Sequence, residues 1–310
     1  MHVTLRQIQV FEAVASKLNY TRASEELHLS QPAVSMQIKQ LEKTVGINLF
    51  EKIGKKVTLT EAGRELHHYA RQIQNLLGEA SEVLEALKGV RRGHLSLSVA
   101  STANYFATNL LANFKRQYPE TTFNLDVTNR KILLSQLEHN ETDIVVMGRP
   151  PIEAELIAEP FMENPLVVIA PNSHPLRHNS HLAFDDLQNE TFVVRELGSG
   201  TRIAMEQFFT ENGMELKTGI EMNSNEAIKQ AVEAGLGLGI VSIHTLSLEL
   251  AANKLCLLDV KGFPVLRHWY LVHRADKRLS AIMIAFKEFV FAEAGGLLEL
   301  AGASRPKLLK

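Results

Sequence analysis

Two kinds of residue cluster in this 310-residue chain are equipped to do chemistry. The first is TRASEELHLSQPAVSMQIKQLEK, residues 21–43. Ser30 is a good helix N-cap, because its hydroxyl accepts a bond from a first-turn N–H. Pro32 suits the first turn, where its missing N–H costs little. Val34, Ile38, Leu41 and Val45 recur at helical spacing and mark a buried stripe. The opposite face carries Pro32, Ser35, Met36, Lys39 and Lys43, with Gln31 at its tip, and holds no carboxylate. Hydroxyl, amide and ammonium groups without an acid suit a polyanion such as DNA.

The second kind is a set of four polar loops. They are Ser101-Thr102-Ala103-Asn104-Tyr105, Gly148-Arg149-Pro150, Gly198-Ser199-Gly200-Thr201-Arg202 and Asn223-Ser224-Asn225-Glu226. Each sits where an apolar run ends or a helical run begins. Ligands of open α/β sheets bind there, beyond strand carboxyl ends and against helix N-termini. The candidate ligand contacts are Ser101, Thr102, Asn104, Tyr105, Arg149, Ser199, Thr201, Arg202 and Asn225. Arg149 and Arg202 together would suit a phosphorylated or carboxylated ligand by bidentate pairing. The hydroxyls are equally suited to helix capping and the arginines to surface ion pairs.

Other patterns are set aside. Gly235, Gly237 and Gly239 follow a helix and precede a strand, the reverse of a dinucleotide fingerprint. Ser199 is no nucleophile elbow, since Leu197 and Thr201 stand where glycines are needed. His67 and His68 point about 100° apart on a helix and do not converge on one metal. The single Cys256 excludes an internal disulfide and a cysteine metal cluster, and its apolar LCLLDV setting predicts a buried thiol. No enzyme chemistry, metal or prosthetic group is proposed by these residues.

Elements must position these groups. Leu5, Ile8, Phe11, Val14 and Ala15 give a first helix over 4–17 that buttresses the next two. Thr21 is read as the cap of the second helix, with Ala23 and Leu27 facing inward. Gly46 ends the third. INLFEKIGKKVTLT reads as a two-stranded wing with Lys52, Lys55 and Lys56 near its tip, placed for backbone phosphates. Residues 1–92 carry 13 Lys and Arg against 10 Asp and Glu, while the rest carries 20 against 25. A mildly basic head on an acidic body fits one DNA-facing module.

The run LRQIQVFEAVA, then TRASEELHLSQPAVSMQIKQLEKTVGINLFEKIGKKVTLTEAG, resembles the winged helix-turn-helix of LysR-type transcriptional regulators without a gap. Its landmarks are SQPAVS, QLE, G-x-x-LF and LT-x-AG. Many members carry Arg where this chain has Met36, Lys52 and Lys55. Met36 therefore offers a thymine methyl an apolar contact, and wing lysines keep charge without the bidentate fork. The resemblance implies that Thr21, Arg22, Ser30, Gln31, Pro32, Ser35, Met36, Lys39, Lys52, Lys55 and Lys56 form the DNA-binding set.

Glu61 to Lys88 is a long helical run with Leu66, Tyr69, Ile73, Leu76, Leu77, Ala80, Val83, Leu84 and Leu87 at near-heptad spacing. Such a stripe needs a partner, and the resemblance implies a homodimer through this helix. Gly89 to Gly93 reads as a hinge. Beyond it strands alternate with helices, which implies βαβ units and a parallel sheet. The fold class is α+β and α/β: a winged helix-turn-helix over 1–60, a linker helix over 61–89 and an α/β body over 93–293 that resembles the periplasmic-binding-protein-like effector domain of the same family. Its subdomain I spans 93–162 and 267–293 and subdomain II spans 163–266, with crossings near Pro160 and near Phe263-Pro264. Residues 294–310 are a tail.

Two functions fit. One is a cytosolic, ligand-responsive DNA-binding regulator working as a homodimer or homotetramer. The other is a small-molecule binding protein or enzyme whose N-terminal helices serve assembly. The carboxylate-free helix face and the lysine wing favour the first. VSMQIKQLE and VRRGHLSLSVASTANYFATNLLANF are similar to regulators of Calvin-cycle (RuBisCO operon) genes. That resemblance implies promoter DNA, RNA polymerase and a small-molecule effector as partners, the effector being a sugar phosphate, another phosphorylated metabolite or NADPH. No 18-residue apolar run or signal pattern is present, so a membrane is not expected as a partner.

Overall fold

The computed structural model describes residues 2–54, 56–87, 93–213 and 218–300. Lys55, most of the expected hinge and residues 301–310 lie outside them. The chain divides into two compact units, Met1–Leu84 with His139–Glu141, and Glu85–Glu138 with Thr142–Lys310.

In the first unit, helix α1 is Leu5–Lys17. Thr4 starts it with a capping box: its Oγ1 accepts from the Gln7 N–H at 3.2 Å, and Gln7 Oε1 accepts from the Thr4 N–H at 3.0 Å. Ile8, Phe11 and Val14 are buried, whereas Leu5, at the same helical spacing, is exposed. Helix α2 is Tyr20–Glu26. Its cap is Asn19, not Thr21, because Asn19 Oδ1 accepts from the N–H groups of Thr21 and Arg22 at 2.9 and 3.1 Å. Asparagine adopts the extended backbone of a cap as readily as threonine and reaches two donors.

Helix α3, Gln31–Val45, starts at Ser30 and stops at Gly46, whose φ of 78° is left-handed. Val34, Ile38 and Leu41 are fully buried against Phe11 and Val14. Strands β1 (Phe50–Ile53) and β2 (Lys56–Leu59) pair antiparallel to make the wing. Glu42 on α3 ties the helix to the wing, since Oε1 accepts from the N–H groups of Leu49 and Phe50 at 2.8 and 3.3 Å. Helix α4 is Glu61–Leu87. Ala70, Leu66 and Ile73 pack on the head, while Tyr69, Leu76, Leu77 and Leu84 are exposed.

The second unit holds two five-stranded sheets. The first contains β3 (Gly93–Ala100), β4 (Thr121–Thr128), β5 (Ile144–Met147), β6 (Leu156–Glu163) and β12 (His268–Arg274), in the order β4-β3-β5-β12-β6. Helices α5 (Asn104–Gln117), α6 (Arg130–Glu138) and α10 (Ala281–Leu300) accompany it. The second contains β7 (Leu166–Pro171), β8 (Phe192–Arg195), β9 (Thr218–Met222), β10 (Leu238–Ser242) and β11 (Leu255–Leu258), in the order β11-β7-β10-β8-β9. Helices α7 (Gly200–Glu211), α8 (Asn225–Glu233) and α9 (Ser247–Ala251) belong to it. Each sheet has its own apolar core, around Phe114 and Phe286 in one and around Val168 and Leu238 in the other.

Several sequence-based expectations are corrected. The sheets are mixed rather than parallel: β3 runs parallel to β4 and β5, whereas β12 is antiparallel to β5 and β6, and β7 to β10 and β11. Strands that return directly after a crossing must run back. The first crossing is at Asn164-Pro165, between β6 and β7, and not at Pro160. Pro160 lies inside β6, which tolerates it as an edge strand, and the register against β12 shifts beside it. The last helix continues to Leu300 instead of stopping near 292. Cys256 is buried, with Sγ donating to the Pro171 carbonyl at 3.5 Å.

Candidate functional site

The outward side of α3 presents Gln31, Pro32, Ser35, Met36, Lys39, Gln40 and Lys43 along one shallow groove. Met36 is 53% exposed, a large apolar side chain standing in a polar face. Lys39 and Lys43 have no carboxylate partner among the described residues, so their charge is uncompensated. Ser30 spends its hydroxyl on the Ala33 N–H at 3.4 Å, which makes it the cap of this helix. Thr21 and Arg22 are exposed on α2, and Lys52 and Lys56 on the wing.

In the second unit, the carboxyl ends of β3, β4, β5 and β8 converge on a small cleft. Ser101 and Thr102 line it from the turn after β3. Arg130 enters from the first turn of α6, Arg195 from the end of β8, and Ser199 and Thr201 from the start of α7. Arg267 comes from the chain leading into β12 and Trp269 from the strand itself, with Asn164 from the first crossing.

The three arginines differ in their partners. Arg195 is bound by Glu196 at 2.7 Å, and it also donates to Asn225 Oδ1 at 2.8 Å and Ser101 Oγ at 3.3 Å. Arg130 donates to the Arg149 carbonyl at 2.6 Å, and Arg267 to the Gly200 carbonyl at 3.0 Å. Neither has a carboxylate partner among the described residues. Burial pushes the Arg130 guanidinium below its ordinary pKa. Burial first, and then the charge of Arg130, push Arg267 down to about 10. Both remain charged at neutral pH. The charge therefore costs free energy that a bound anion would recover.

The start of α7 adds donors. Ser199 sits at the N-cap position but makes no cap bond, and it is buried, as is Thr201. Their hydroxyls and the N–H groups of Gly200, Thr201 and Arg202 have no partner among the described residues, the arrangement that suits an anion.

The candidates picked from the sequence divide. Ser101, Thr102, Ser199 and Thr201 line the cleft. Asn225 stands behind it, buried, donating to Thr102 Oγ1 at 3.2 Å. Asn104, Tyr105, Arg149 and Arg202 are absent from the lining. The Tyr105 hydroxyl donates to Glu226. Arg149 is exposed and offers the cleft's Arg130 only its carbonyl. Arg202 is held by Glu206 at 2.7 Å, by Glu221 at 2.5 Å and by the Arg195 carbonyl at 2.9 Å. Two carboxylates raise its pKa and consume the charge that a ligand would need. Arg130, Arg195, Arg267, Asn164 and Trp269 were missed. Arg130 and Arg195 obey the same rule that found the others, each lying at a strand's carboxyl end.

A winged helix-turn-helix with an acid-free recognition face, and a two-sheet body with an anion-ready cleft, define a ligand-responsive DNA-binding regulator. Residues 5–64 match the family model described as bacterial regulatory helix-turn-helix protein, lysR family, and residues 88–295 match LysR substrate binding domain. The chain belongs to the LysR family of transcriptional regulators. It is 57% identical over 294 residues to the RuBisCO operon transcriptional regulator of Allochromatium vinosum, covering 95% of this chain and 97% of that protein. It is 46% identical over 290 residues to the HTH-type transcriptional regulator CbbR of Rhodospirillum rubrum, covering 94% and 96%. Among solved structures, the regulatory domain of Synechocystis CcmR in complex with 2-PG is 40% identical, covers 66% of this chain and 98% of that one, and superposes with a TM-score of 0.63. Family members bind DNA through the N-terminal domain, bind small-molecule effectors rather than prosthetic groups, and oligomerise; they are not enzymes. No helix among the described residues is long and apolar enough to cross a membrane.

Proposed function

We propose that this chain regulates carbon-dioxide-fixation genes of the RuBisCO operon type in response to a small phosphorylated or carboxylated metabolite. The observation that carries the effector reading is the pair Arg130 and Arg267, half-buried in one cleft with no carboxylate partner among the described residues. The named relatives support the gene target, and the 2-PG complex of the CcmR domain supports the ligand class.

In this reading residues 1–60 bind operator DNA, with Gln31, Pro32, Ser35, Met36 and Lys39 in the major groove and the wing lysines on phosphates. Residues 61–89 dimerise the heads through the exposed stripe Tyr69, Leu76, Leu77 and Leu84 of α4. Residues 93–293 bind the effector and pass its occupancy to the DNA-bound oligomer and to RNA polymerase. The protein works in the cytoplasm, where promoters are. An effector shifts DNA binding only as far as it prefers one arrangement of the oligomer. The test is a gel shift with the promoter neighbouring the chain's own gene and a RuBisCO promoter, with 2-PG or NADPH titrated in. Sequence-specific complexes that change mobility or affinity with 2-PG are expected. Absence of specific binding at moderate salt overturns the regulator assignment, and indifference to every phosphorylated acid overturns the effector class.

A further inference from the structure

Strand β12 is where the cleft acquires its remaining donor. Pairing with β6 places Trp269 opposite Met162, and the same edge extends to Arg267, whose carbonyl accepts the Asn164 N–H at 2.7 Å. Alternate residues of extended chain share a side, so Arg267 and Trp269 both reach the cleft. The Trp269 ring is 2% exposed and lies edge-on to Phe106 at 5.6 Å between centroids.

An indole N–H only donates, and buried ones nearly always find an acceptor. Trp269 Nε1 is buried and has none among the described residues. Seven buried side-chain atoms lack a partner there, and this one alone belongs to a cleft-lining residue. Packing against Phe106 needs an aromatic ring but no N–H.

We propose that Trp269 is a specificity-determining residue, its indole N–H donating to a second oxygen of the effector outside the anionic group held by Arg130 and Arg267. The ligand class is a small phosphate ester or dicarboxylate bearing another acceptor, and inorganic phosphate lacks that second point. This inference rests on the effector-cleft reading above.

The experiment uses the full-length protein, whose single tryptophan gives one indole ¹⁵N–¹H resonance. The probe is 2-phosphoglycolate, a small phosphate ester that also carries a carboxylate. Saturation is expected to move the indole resonance, whereas inorganic phosphate leaves it in place. Trp269→Phe is expected to weaken 2-phosphoglycolate binding about tenfold in calorimetry, the scale of one hydrogen bond. An indole resonance unmoved at saturation overturns the proposal. So does wild-type affinity in Trp269→Phe, the outcome if water satisfies the N–H in both states. The resonance arm decides even if the variant folds poorly. Failure of the wild-type protein to bind 2-phosphoglycolate at all overturns the ligand class itself, an outcome distinct from binding that ignores Trp269.

Discussion

Arg130 and Arg267 flank Gly200, and a Cβ there would lie 3.8 Å from a side-chain atom of each. They share the cleft with no acid between them among the described residues, and the charge of one lowers the pKa of the other. Arg267→Met is therefore expected to leave the ligand-free protein at least as stable as wild type while abolishing stabilisation by effector. Wild type at one hundred times Kd should gain about 2.7 kcal/mol. Arg202→Gln should behave oppositely and keep the effector response, because its guanidinium already serves Glu206 and Glu221. Thermal shift with and without 2-PG checks both; loss of response in Arg202→Gln would return that residue to the site.

On the DNA side, Ser35→Ala is expected to cost about 1–3 kcal/mol against the preferred base, the worth of one direct base contact. Met36→Arg should move preference at one position from thymine towards guanine, since a bidentate fork replaces an apolar contact. Lys56→Gln should leave sequence preference intact and flatten the log–log salt slope by about 0.9 for each phosphate no longer neutralised. Binding isotherms on a randomised half-site at several salt concentrations separate these effects.

Lys229 is 3% exposed on α8, where it meets Glu226 at 2.9 Å, Glu249 at 2.7 Å and the Thr245 carbonyl at 3.0 Å. Lys229→Met leaves Glu249 facing an apolar neighbour. A loss of about 3–5 kcal/mol is expected, as for breaking a buried pair from one side. Pairing it with Glu249→Gln should recover much of that. Denaturant unfolding of the three variants measures the coupling.

His244 is buried beside the first crossing, with Nε2 against the Glu163 carbonyl at 2.9 Å. Burial lowers its pKa, and the carbonyl contact offsets part of the shift. Below the ordinary histidine value the unfolded chain binds a proton that the folded chain resists. Stability present above pH of about 6.5 is thus lost as pH falls towards the depressed folded value. Unfolding at pH 7.5 and 5.5 should show that loss, and His244→Gln, which still donates to Glu163, should reduce it.

Much of this was legible in the chain because local rules and tertiary structure agree. Ser30, Gly46 and the Val34, Ile38, Leu41 stripe mark α3 without help. Thr21 misled because Asn19, two residues earlier, is an equally good cap. Strand β6 was missed because Pro160 reads as a breaker, which an edge strand tolerates. Arg149 and Arg202 were chosen for their loops, yet charge pairing decided the outcome: Glu221 lies 19 residues from Arg202 in the chain and on the neighbouring β9. Arg267 and Trp269 follow the second crossing at the start of a strand, where no rule about carboxyl ends points, and only the return of the chain to the first sheet brings them to the cleft.

The two crossings meet where the Asn164 N–H donates to the Arg267 carbonyl, and both residues line the cleft. The link between the sheets is thus part of the pocket wall. A bound effector would rest on the axle rather than on the rim of the wheel. A change of inter-sheet angle about these crossings would therefore reshape the pocket wall directly. Ligands that match the arginines but differ in girth should set different angles, so one regulator could grade its output by which metabolite fills the same seat.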